Sequence, residues 1–227
     1  MLKGCMPVLW GQSMKRLKPE IPPHLPLLAD GEELLLTAIR YGESIAGCRI
    51  RGVDLSEEDL SGGVFSMAVL ENCRFTACDL QDAEFRDTVF IHCDFSACDL
   101  RNAYFQRCEF TGTKALGADL RSTVMRDVLM EECNFGYVNL DGADLKNTEV
   151  RSANLSHGQL SYAKLKDVIF HKVDFSHLSF YHTPLKNIDL SSCTIQNIRV
   201  EGPELRGVKI DPLQAVDLVP ILGVTIK

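Results

Sequence analysis

The chain has 227 residues, 45% of them hydrophobic and 24% charged, with a net charge of −7. That length allows one elongated domain with a sizeable core. The acidic balance argues against nucleic-acid binding through a basic patch and suits basic protein partners, and no window has the long apolar run of a membrane span.

In chain order, residues 1–27 read as a disordered or extended lead-in. The stretch MLKGCMPVLWGQSMKRLKPEIPP lacks the continuous apolar stretch and small-residue cleavage site of a signal peptide, so a cytoplasmic location is expected. Met14 opens MKRLKPEIPP like an alternative start, and residues 1–13 read as a tail. Residues 28–45 are predicted to hold a capping helix: Asp30 and Glu33 have the spacing of a capping box, and Gly42 closes the pattern. Leu34, Leu35 and Ile39 are expected to cover the first coil, with Glu32, Glu33 and Arg40 towards water.

Residues 46–210 carry a period of five. Of the 33 positions from Ile50 to Ile210 that are multiples of five, fourteen are Leu, eleven Phe and seven Ile, Val or Met, with Ala115 the exception. Every Phe of the protein lies in this set. Two places earlier stands a small residue, such as Ala68, Ala83 or Ala103, and eight of the nine cysteines. One place earlier Asp or Asn recurs, as in ACDLQ, GADLR and SANLS. Neither helix nor strand has this period, so the chain must turn at each unit. Four units close a square of twenty residues with sides of at most ~16 Å. The large residue and the small one before it face inward. Gly or Asn recurs two places after the large residue, where positive φ is tolerated (Gly52, Asn72, Gly112, Asn147).

Residues twenty apart then stack at ~4.8 Å, giving about eight coils and a prism ~38 Å tall. The predicted core ladder includes Leu60, Leu80, Leu100, Leu120 and Leu140, with Phe85 and Phe105 in another column. Ala115 leaves a deficit that Leu116 is expected to turn in and fill. Cys73 stacks on Cys93, and Cys78 on Cys98. In-register side chains project the same way, a poor geometry for a disulfide, so these read as reduced, buried thiols packing as apolar groups.

Outside the prism, Asp59, Asp79, Asp99 and Asp119 share one column. Arg86, Arg126, Lys146, Lys166, Lys186 and Arg206 share another, with Gln106 between. Residues 41–132 hold 17 acids and 9 bases, a net of −8, while residues 133–210 hold 8 and 9, a net of +1. Only the first half, at one charge per ~2.7 Å, approaches the ~1.7 Å charge spacing of duplex DNA. Of the six histidines, His157 and His177 stack. No metal, cofactor or nucleophile–base set emerges, and no enzyme activity is expected.

Residues 211–227 follow the last coil. Asp211 and Pro212 suit N-cap and first helical turn, followed by a short helix through LQAVDLV and a strand-like VTIK. The apolar side chains exceed one helix face, so Leu213, Val216, Leu218, Val219 and Leu222 are expected to form a homodimer interface.

The A-(D/N)-L-x-x unit over residues 46–210 resembles the pentapeptide-repeat family. The resemblance implies an all-β solenoid, a right-handed quadrilateral β-helix, with short helices at both ends. The C-terminal LRGVKIDPLQAVDLVPILGVTIK is similar to the dimerising segment of the quinolone-resistance, topoisomerase-protecting members. Their resemblance implies a non-catalytic DNA mimic acting on DNA gyrase or topoisomerase IV, with the Asp59, Asp79, Asp99 and Asp119 column as the partner face and no direct nucleic-acid binding. A different protein partner without nucleic-acid mimicry is the alternative. Loops that interrupt the repeat in those relatives have no counterpart here.

Overall fold

A computed structural model describes residues 16–28 and 31–224. The tail 1–13, Asp30 and the last three residues of VTIK lie outside the described residues.

The five-residue unit becomes a coil because each backbone N–H has a fixed partner. Around Leu80, the Leu80 N–H donates to the Asp99 carbonyl of the next coil at 2.7 Å, and Asp82 N–H to Arg101 at 3.0 Å. The Asp79 N–H donates backwards to Glu58 at 3.1 Å, and Ala83 N–H closes the turn on Leu80 at 3.2 Å. The remaining donor, Gln81 N–H, finds the Asp79 carboxylate at 3.0 Å. In units of this kind the Asp or Asn is thus an acceptor for the one amide the coils leave over.

This division splits the prism into two kinds of face. Two adjacent faces carry continuous parallel strands, such as Val64–Glu71, Glu84–Ile91, Asp144–Arg151 and Lys164–His171. The other two pair only through single bridges at Asp54, Arg74, Asp94 and Lys114, and at Asp59, Asp79, Asp99 and Asp119. Strands hold the extended register from Ile45 through Phe65, Phe85, Phe105, Met125 and Leu145 to Leu165, six steps of twenty. The expectation of eight coils is corrected accordingly: about six turns carry strand, and bridges alone carry the register on to Lys209. Pro184 explains the change. It stands where Lys164 and Asp144, one and two coils earlier, donate an N–H to the coil below, and proline has none.

Every corner turns at the second residue after a multiple of five. From Gly42 to Gly207 all of these except Ser192 have positive φ, including Met67, Tyr137 and Tyr162. The requirement is broader than the Gly and Asn pattern implied. Non-glycine residues meet it at roughly 1–2 kcal/mol each, offset by the coil-to-coil hydrogen bonds on either side.

The core ladder is buried as expected: Leu60 and Leu80 are fully inaccessible, and Leu100, Leu120, Leu140, Phe85 and Phe105 nearly so. Phe65, Phe85 and Phe105 stack at 4.9 and 5.0 Å, Phe75 and Phe95 at 4.7 Å, and Phe90 and Phe110 at 4.6 Å. Buried i−2 donors hold the carbonyls of the coil below, with Cys108 Sγ donating to Phe85 and Thr183 Oγ1 to Leu160.

Leu116 does not fill the space beside Ala115. It is 39% exposed and lies outside, against the position a Cβ on Gly136 would take. Phe135 instead tips edge-on to Phe110 at 81°. With Met125 and Met130 in the lining, the remaining void is about 10 Å³, no more than one water would need.

Both ends are capped. The helix Gly31–Arg40 buries Leu35 and half-buries Ile39, but Leu34 is exposed, because it falls on the outer face one residue before Leu35. Gly42 closes the helix at φ 68 with its N–H on Ile39. At the other end, Asp211 accepts from Leu213 N–H at 2.9 Å and Gln214 returns to Asp211 N–H at 2.7 Å. The expected single helix is broken into Pro212–Gln214, Ala215–Leu218 and Val219–Leu222, only the middle one α-helical.

Residues 16–28, part of the lead-in expected to be disordered or extended, lie against the prism without helix or strand up to the single bridge at Leu27. Arg16 pairs with Glu109 at 2.7 Å, Leu17 N–H binds Asp127 at 3.0 Å, and Glu20 N–H binds Asp87 at 2.9 Å. Leu28 N–H and the Pro26 carbonyl then join Arg49. The segment is a strap running down one corner.

Ala115→Leu restores the repeat but must place three carbons in a void that small. We expect a loss of about 1–3 kcal/mol, read as a lower urea midpoint with an unchanged slope. A gain in stability would show that the neighbours can retreat.

Candidate interaction faces

The four sequence-predicted aspartates do form one column, joined by bridges at 20-residue steps. Each accepts the N–H two residues on: Ser61, Gln81, Arg101 and Arg121, at 3.0–3.1 Å. The hydroxyl and N–H of Ser61 hold the Asp59 carboxyl below the usual carboxylate range. Farther up, Arg101 grips Asp99 and Arg121 grips Asp119, each at 2.6 Å, and Arg101 also reaches Asp119 at 3.9 Å. Hydrogen bonds from Arg101 lower the Asp99 pKa. The upper half of the column is therefore locally neutralised. The sequence held the signal, since Arg101 and Arg121 are also twenty apart, two places beyond their aspartates.

Exposed acids without an ion-pair partner among the described residues gather at the N-terminal end of that face and its corners: Glu57, Glu58, Asp59 and Asp82, with the half-buried Asp79 between them. Several other acids of the first half are matched. Arg74 meets Asp54 at 3.0 Å, Glu71 takes both Arg49 and Arg51, and Arg107 clasps Asp87 through two nitrogens.

The C-terminal half differs in kind. Tyr137, His157 and His177 stack at 5.0 and 4.6 Å along one corner, and Tyr162 and His182 at 4.7 Å along the next. His182, Glu201 and Glu204 bring ligand-type atoms within 4.8 Å of one another. Burial pushes the Glu204 carboxyl up, but N–H groups of His182, Glu201 and Gly202 on its two oxygens more than offset this. Glu204 thereby holds the last full coil together.

At the C-terminal end the five predicted interface residues separate. Leu213 is 82% and Val216 56% exposed, whereas Leu218 packs on the core and Val219 is half-buried. The Leu222 side chain lies outside the described atoms.

The eight cysteines of the repeat are all buried and free. Burial pushes the Cys108 thiol up to about 12 and Cys133 up to about 11. The hydrogen bond from Cys73, together with burial, raises Cys93.

Comparison with known proteins agrees with this geometry. A profile described as pentapeptide repeat region matches residues 83–160, and one described as pentapeptide repeats (8 copies) matches residues 54–90 and 153–191. The chain belongs to the pentapeptide-repeat family. No curated protein sequence matches this pentapeptide-repeat chain. Among solved structures it is similar to trypsin-treated QnrB1, a plasmid-mediated fluoroquinolone resistance protein, at 22% identity and a TM-score of 0.43, covering 81% of this chain and 98% of that one. It is also similar to HetL of Nostoc sp. strain PCC 7120, a pentapeptide repeat protein involved in heterocyst differentiation regulation, at 21% identity and a TM-score of 0.42, covering 77% and 92%. A third is Rfr23 of Cyanothece 51142, at 16% identity and a TM-score of 0.36, covering 79% and 99%. Among the described residues no helix is long and apolar enough to cross a membrane.

Native labelling with N-ethylmaleimide should leave all eight repeat cysteines unmodified, because burial shields every sulfur and raises the pKa of Cys48, Cys108, Cys133 and Cys193. Hydrogen bonding with Cys93 lowers Cys73 to about 7 and that with Cys98 lowers Cys78, so these two are protected by burial alone. Intact mass should show at most the Cys5 adduct until denaturant is added. Rapid native labelling of Cys108 or Cys133 would contradict the burial.

Proposed function

We propose that the protein is a non-catalytic binding scaffold whose acidic half engages a type II topoisomerase, DNA gyrase or topoisomerase IV, in place of DNA. The observation that carries this reading is the cluster of acids without an ion-pair partner at the N-terminal end of the acidic face, Glu57, Glu58, Asp59, Asp79 and Asp82, in the half whose net charge is −8. A basic DNA-binding channel is attracted to such a field over several ångströms. The Arg101 and Arg121 pairs favour a second reading, in which the same acids dock a smaller basic patch on another protein and only the lower end of the column takes part.

A two-fold dimer through the C-terminal cap completes the proposal. Leu213 and Val216 project away from the coil that Leu218 covers, and a like-to-like contact closes without leaving an open end. The result is a rod of about twice the monomer length.

Two experiments test these proposals. In a supercoiling assay with purified gyrase, with and without quinolone, wild type should inhibit or protect. The fourfold Asp59→Asn, Asp79→Asn, Asp99→Asn, Asp119→Asn variant should lose at least tenfold in potency. Asparagine keeps the corner hydrogen bond, as Asn139 does in accepting Asp141 N–H at 3.0 Å. A folded variant of equal potency would end the acidic-face mechanism, and no effect of wild type would remove gyrase as partner. Light scattering at micromolar concentration should give a dimer, and Leu213→Glu with Val216→Glu should give a folded monomer. A wild-type monomer, or a dimer surviving both substitutions, would rule out this interface.

A further inference from the structure

The net charge of −7 conceals a local excess of the opposite sign. On one strand face of the C-terminal half, Lys146, Lys166, Lys186 and Arg206 occupy the same place in four successive coils, all exposed. Lys146 and Lys166 are direct partners on neighbouring strands. Among the described residues none of the four has an ion-pair partner, and exposed Lys164 stands beside them. Like charges opposite one another in a sheet destabilise it, so folding alone gives no reason for the arrangement. Nearby carboxylates do not relieve it. Asp144 is held by Arg126 at 2.9 Å, and Glu204 is buried on three N–H groups. Two exposed acids border the face without an ion pair to the column: Asp167 at its far corner and Glu201 at its near corner, with a carboxylate oxygen within 4.8 Å of a His182 ring nitrogen.

The near corner of the same face carries the Tyr162–His182 ring stack, bounded by Gly142 and Gly202. A Cβ on Gly202 would meet nothing within 4 Å, and one on Gly142 only the Ser122 hydroxyl at 3.6 Å. Glycine at both ends leaves the outer face of each ring open over one coil step of ~4.8 Å, enough for a base, which stacks at about 3.4 Å. A line of cations beside open ring faces is the combination that single-stranded nucleic acid recognises: cations for the phosphates, rings for unpaired bases. A duplex offers no free base face, and an acidic peptide would need the cations alone.

We propose that this face binds single-stranded nucleic acid, with Lys146, Lys166, Lys186 and Arg206 along the phosphate backbone and Tyr162 and His182 against the bases. The acidic cluster around Asp59 does not oppose it. Asp82, the highest member of that cluster, lies four coils below Tyr162, about 19 Å away along the axis, beyond the ~8 Å screening length at physiological salt.

The test is fluorescence anisotropy of the full chain with a labelled oligothymidine of roughly a dozen nucleotides, across a salt series. Four phosphate contacts predict a slope of log affinity against log salt of about −2.8, and Lys166→Gln with Lys186→Gln should cut it to about −1.4. Tyr162→Ala should weaken binding about 5- to 100-fold at an unchanged slope, and Tyr162→Phe should restore it. These residues are exposed, so the variants should fold. No binding at low salt would overturn the proposal. So would equal binding of polyphosphate or poly-glutamate with Tyr162→Ala without effect, which would mark a general polyanion or acidic-peptide surface. The gyrase assay reads the opposite half of the molecule, so either proposal can fail without the other.

Discussion

Everything in this molecule depends on the need to satisfy five backbone amides per unit while turning a corner. Two N–H groups go up, one goes down and one closes the turn, and the last must find a side chain or a strand partner. On the bridge faces that partner is Asp or Asn, as Asp94 serves Ser96 N–H at 3.0 Å and Asn154 serves Ser156 N–H at 2.8 Å. On the strand faces a neighbouring strand supplies the acceptor, which is why Val64, Glu84 and Tyr104 can stand there instead. Acidity on the bridge faces therefore begins as a hydrogen-bonding solution, and Asn139 meets the same need without charge. What folding leaves undetermined is which of the two residues is used and what stands two places on.

That freedom is where electrostatics enters. A step of twenty residues brings like positions together, so a conserved choice stacks like charges and a changed one makes ion pairs. Arg74 above Asp54 and Arg107 above Asp87 are pairs of the second kind. An exposed pair such as Arg74–Asp54 contributes little, about 0–1 kcal/mol, but pairs of either exposure cancel the field around them. The Asp59 to Asp119 column is of the first kind, and its upper members are relieved within their own units by arginine. The Lys146 to Arg206 column has no such relief. The two same-sign columns lie on adjacent faces and opposite halves, so the rod is polarised along its length despite an ordinary composition.

The period of five exposed the core, the caps and the stacking, because each depends on residues a fixed distance apart. Other features lacked such a signal. Bonds from Arg16, Leu17 and Glu20 to Glu109, Asp127 and Asp87 cross 67 to 110 residues, and only folding brings those corners under the strap. Leu116 was misplaced because the repeat marks where a large side chain is missing, not how Phe135 and two methionines close around the gap. Leu34 and the C-terminal five were read by composition, but exposure depends on helix phase: Leu35 points inward while Leu34 does not, and Leu218 inward while Leu213 does not. The loss of strand above Leu165 was written in Pro184, a residue that the hydrophobic period passes over.

The strap changes how such a stack behaves. In a solenoid each coil touches only its neighbours, so stability is close to a sum of local terms and unfolding can start at either end. Here the chain between Arg16 and Leu28 reaches from the level of Asp127 down past Asp87 to Arg49, bonding several coils at once. It does so at corners whose acids are nearly buried, Asp87 at 7% and Asp127 at 9%, where lost partners would leave carboxylates poorly solvated. Opening any one of those coils must disturb contacts made by the others. The acidic half thus has a non-local tie, whereas beyond His171 the basic half loses strand pairing on both strand faces and relies on bridges, turns and the cap at Asp211. The end that carries the exposed Leu213 and Val216 is also the end with the fewest ties of its own, which is where a second chain would add most to stability.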